Sequence, residues 1–102
     1  MIPLVEVDIN KEAPGIYLAR THIRGDVVAP TENYSDIESA IRGEAQRANG
    51  AACFIEFTYG GMSTGTLGFE EAQTKAAELA SRLVGLCAEL HRAMASSAEF
   101  EA

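Results

Sequence analysis

Basic residues are scarce in this chain. Its 102 residues hold eight lysines and arginines against fifteen aspartates and glutamates, a formal net charge of −7 at pH 7. None of the eight forms a run. Non-specific nucleic-acid binding neutralises phosphates with clustered Lys and Arg, so that class is excluded. The acid is dispersed too, with Arg20, Arg24, Arg42, Arg47, Arg82 and Arg92 interleaved. A mimic of the DNA backbone needs denser negative charge, and solubility accounts for this balance more simply.

Cysteine is sparse as well. Cys53 and Cys87 each sit among apolar neighbours, the pattern of free thiols in a reducing compartment; a single disulfide between them is the alternative. Long hydrophobic runs are missing, and no basic flank followed by an apolar core opens the chain. The expected location is cytoplasmic. A hydrophobic content of 47% with 23% charged residues is globular. This length supports one core, so we expect a single α+β domain over residues 1–97, with a frayed tail at 98–102.

What the chain does have is an apolar seam. Phe69, Ala72, Ala76, Leu79, Leu83, Leu86, Leu90 and Ala93 alternate in steps of three and four, one stripe of a long helix. Ala80, Cys87 and Met94 widen it, then Ala77, Val84 and Ala88. Gly68 precedes it as a cap, with Glu70 and Glu71 in the first turn as the helix dipole favours.

Upstream, residues 2–9 alternate as a strand with Val5, Val7 and Ile9 on one face. A polar turn over 10–15 leads to a second strand at 16–23, whose two faces leave the inward side open. A short third segment covers 27–29 before Pro30. Ser35-Asp36-Ile37-Glu38 has the form of a capping box with Ser35 as cap. The helix it opens carries Ile37, Ala40, Ile41, Ala45 and Ala48 on one face, is weakened at Gly43 and stops at Asn49-Gly50. Residues 52–59 form another strand, Gly60-Gly61 a hairpin turn, and 62–67 a short Thr-rich return. The order ββ(β)αββα predicts a two-layer α+β sandwich: an antiparallel sheet of four to five strands with two helices on one face.

A length mismatch follows. The last helix, about 28 residues, spans roughly 42 Å, whereas a seven-residue strand covers about 23 Å. Self-association through Leu79, Leu83, Leu86 and Leu90, giving a homodimer, is the simplest way to cover the excess; a helix break near Gly85, or packing on the shorter helix, is the alternative.

The segment from Gly60 to Gly68 joins a strand to a helix, the kind of junction where backbone amides cradle phosphate. Gly61, Ser63, Thr64 and Gly65 are its candidate ligand contacts, but it lacks the lysine of a P-loop and the glycine spacing of a dinucleotide fingerprint. Cys87 and His91 are one helical turn apart, and with His22 and Cys53 make four possible zinc ligands. No short Cys-x-x-Cys spacing supports that, so no metal and no cofactor is expected. Arg20, His22, Glu6, Asp8 and Glu56 can share one sheet face, where a histidine beside carboxylates can do acid–base work or simply be solvated. Arg24-Gly25-Asp26 reads as a turn.

The sequence thus points first to a small, acidic, non-enzymatic protein of the inhibitor, immunity, antitoxin-like or phage anti-defence type. It would act by steric occlusion of another protein, with a basic, nucleic-acid-binding partner suiting the charge. Glu6, Asp8, Glu56 and Tyr59 are the candidate contacts. The alternative is a small-molecule or phosphate-binding protein, or small enzyme, using the Gly60–Gly68 segment at a dimer interface.

Overall fold

A computed structural model describes residues 4–23, 25–27, 30–48 and 54–101. The chain forms a two-layer α+β sandwich, with one mostly antiparallel sheet backed on one face by helices. The strands are β1 (Leu4–Ala13), β2 (Ile16–Ile23), β3 (Asp26–Val27), β4 (Glu32–Tyr34), β5 (Phe54–Tyr59), β6 (Met62–Ser63) and β7 (Leu67–Gly68). Helices α1 (Ile37–Ala48), α2 (Phe69–Thr74) and α3 (Ala76–Glu101) complete it. The sheet runs β3-β2-β1-β5-β6, with β4 also on β2 and β7 also on β5.

Register settles which sides face inward. Val5, Val7 and Ile9 pair with Ile23, Thr21 and Ala19 on one side and with Ile55, Phe57 and Tyr59 on the other. These positions form the inner face, where Val5, Val7, Ile9, Ala19, Ile55 and Phe57 are buried against Ile37, Ala40, Ile41, Ala45, Ala72, Ala76, Leu79 and Leu83 of the helices. Because side chains alternate along a strand, Glu6, Asp8, Leu18, Arg20, His22, Phe54, Glu56 and Thr58 point the other way.

Several expectations are corrected. The β1/β5 pair is parallel, because α1 carries the chain back across the sheet and a crossover returns the next strand in the same direction. β1 runs on to Ala13, so the first turn shrinks to Pro14-Gly15 with Gly15 at φ 74°. The return after Gly60-Gly61 is two short strands, not one. β4 is an added strand of three residues, too short for periodicity to reveal. Residues 28–29 of the expected third segment, the Asn49-Gly50 stop, Cys53 and Arg24 lie outside the described residues.

The long helix is interrupted at Lys75, not Gly85. Lys75 leaves helical geometry at φ −104°, ψ 19°, and α3 then continues through Glu101, past the expected start of the frayed tail. Phe69 and Ala72 before the break, and Ala76, Leu79 and Leu83 after it, are all buried, so the apolar stripe crosses the interruption intact.

The cap of α1 also differs. Asp36, not Ser35, accepts from a first-turn amide, Ser39 N–H to Asp36 Oδ1 at 2.7 Å, and this bonding holds the Asp36 carboxyl below its ordinary value. A depressed pKa stabilises above the unfolded value and is lost as pH falls through the folded one. Asp36→Ala should therefore cost about 1 kcal/mol near neutrality, with the difference from wild type closing in acid below pH about 4; urea melts at the two pH values check it.

Gly43 has a structural reason to be small. A Cβ there would lie 2.6 Å from Tyr34 Cε1, because the tyrosine ring crosses α1 to reach Glu44. Gly43→Ala would raise helix propensity by about 1 kcal/mol, yet it must displace the ring. A net loss of about 1–2 kcal/mol is expected, read from the urea midpoint.

Candidate functional site

The helix-free face of the sheet is where the sequence-predicted polar residues gather. Glu6 of β1 is the register partner of Glu56 on β5 and of His22 on β2, while Asp8 is the partner of Thr58 and Arg20. Two rows of polar side chains therefore cross the three central strands. The Thr58 hydroxyl donates to Asp8 Oδ1. His22 Nε2 is screened from solvent and lies 3.2 Å from Asp8 Oδ2, off the line of a good hydrogen bond. Phe54 (44% exposed) and Val27 (59% exposed) lie at opposite sides of this face.

Glu6 and Glu56 are neighbours in register on β1 and β5. Like charges in register on adjacent strands repel, and no Lys or Arg side chain among the described residues lies within ion-pair distance of either glutamate.

The fourth expected contact, Tyr59, does not join them. It points to the helix side, where its ring lies 6.3 Å from that of Tyr17 and burial pushes its hydroxyl pKa up. The four leucines of the seam separate in the same way. Leu79 and Leu83 are buried in the protein's own core, Leu86 is partly covered, and Leu90 is 37% exposed. A groove of about 550 Å³ runs beside α3 on this side, lined by Tyr17, Ile37, Ala80 and Val84 and edged by Asp36 and Glu38.

The Gly60–Gly68 segment is bonded to itself and to β5. Gly60 and Gly61 adopt φ 58° and 85°, as the hairpin requires. Thr64 N–H donates to Phe57 O at 3.0 Å and Phe57 N–H to Thr64 Oγ1 at 3.1 Å. Gly65 N–H donates to Ser63 Oγ at 2.9 Å. Two amides needed to cradle a phosphate are thus already engaged. A Cβ added at Gly65 would meet open space, but the residue sits at φ 76°, so Gly65→Ala should cost about 1–2 kcal/mol through left-handed strain alone. Its melting point should fall by the same amount with or without inorganic phosphate.

Cys87 is partly covered and packs against the hairpin, where a Cβ on Gly60 would come within 2.6 Å of its Sγ. His91, one turn on, is exposed, while His22 sits on the open sheet face. Among the described residues no three His, Cys, Asp or Glu side chains are placed to hold a metal, and no helix is long and apolar enough to cross a membrane.

A second polar cluster escaped the sequence reading. Glu44 of α1 is 2% exposed and accepts from the Thr21 hydroxyl at 2.7 Å, from the Tyr34 hydroxyl, and from Arg47 Nη1 at 2.7 Å. Arg47 Nη2 also reaches Glu32 Oε1 at 3.5 Å. Burial, then the bond to Glu44, pushes the Tyr34 hydroxyl up to about 12. The signal was available: Glu44 falls between Ile41 and Ala45 inside the apolar stripe of α1, where a carboxylate needs buried partners. This cluster ties β2 and β4 to α1.

No protein-family model, curated protein or solved structure matches the chain.

Proposed function

We propose that this chain is a non-enzymatic protein-binding module whose helix-free sheet face occludes a basic surface of another protein. The observation that carries the reading is the Glu6–Glu56 pair, like charges in register on adjacent central strands. A partner's Lys or Arg placed between them pairs with both carboxylates. Asp8 adds a third carboxylate, oriented by Thr58 and His22. Phe54 and Val27 supply apolar contact beside the charges, the mixture that interfaces use for anchoring. Inhibitor or immunity-type action is the corresponding mechanism, in which this face covers a partner's working surface without any reaction.

The sheet also resists the wrong kind of association. Its outermost strands β3 and β6 have two residues each, too short to template strand addition.

The test is charge reversal at the paired glutamates. After a partner has been isolated with the tagged protein and purified, Glu6→Lys with Glu56→Lys should weaken its binding at least about 100-fold, about 2.7 kcal/mol. The variant's melting temperature should stay close to that of the wild type, because one like-charge pair replaces another on an open sheet face. Affinity should also decline as salt is raised. An unchanged affinity in the double variant refutes this surface.

A further inference from the structure

We draw no further inference here: the strongest candidate, the groove beside α3 lined by Tyr17, Ile37, Ala80 and Val84, carries nothing, because the acids at its rim are already engaged, Asp36 by the Ser39 amide and Glu38 by Arg42, and nothing in the structure shows what covers it.

Discussion

Phe57→Ala is expected to cost about 3–5 kcal/mol, the range for emptying a fully buried aromatic site. Phe57 is the largest side chain with no exposure, on the central strand pair, with Val7 in register beside it. Its backbone exchanges hydrogen bonds with Thr64, so collapse into the cavity would also pull on the loop leading to α2. A domain of this size has about 5–15 kcal/mol in total, and the variant should be close to its unfolding threshold. Phe54, three residues away on the opposite face, is 44% exposed; Phe54→Ala should cost under about 1 kcal/mol. Urea denaturation of the pair reports the orientation of β5, and equal losses would contradict the inward placement of Phe57.

Removing Glu44 is the second large perturbation. Glu44→Ala leaves the buried Thr21 hydroxyl, the Tyr34 hydroxyl and one side of Arg47 without their acceptor. An unsatisfied buried donor costs about 1–3 kcal/mol. Arg47 remains solvated at 38% side-chain exposure and adds little, so a total near 2–4 kcal/mol is expected. Glu44→Gln keeps one acceptor and should lose less. The network has a pH signature too. Tyr34 titrates at about 12 in the fold against an ordinary 10.0, so its contribution is complete below pH 10 and disappears as pH rises towards 12. Tyr34→Phe should flatten that alkaline limb of the stability curve.

Periodicity carried much of this fold. Alternation located β2 almost to the residue, and the three-four spacing located α1 and the apolar stripe from Phe69 onward. What it could not convey was tertiary in origin. The parallel β1/β5 pair depends on where α1 returns the chain, and no local pattern in Leu4–Ala13 or Phe54–Tyr59 encodes a direction. The break at Lys75 involves no glycine or proline. The stripe remains in phase on both sides of it, so the sequence reads as one helix. Ser35 and Asp36 are both good caps, and only the backbone path chooses between them. At the site, alternation places Glu6, Asp8, Arg20, His22 and Glu56 on one sheet face, but which of them are neighbours, and the place of Thr58 beside Asp8, needed the register. Tyr59 shares its parity with Phe57 and so belongs to the helix side, apart from the three carboxylates.

Carboxylate footprinting of the free protein and of its purified complex tests the occlusion account most directly. Labelling of Glu6, Asp8 and Glu56 should be strongly suppressed in the complex, while Asp36 and Glu38 on the helix side react as before. Suppression at Asp36 and Glu38, with the three sheet-face carboxylates still fully reactive, would contradict it.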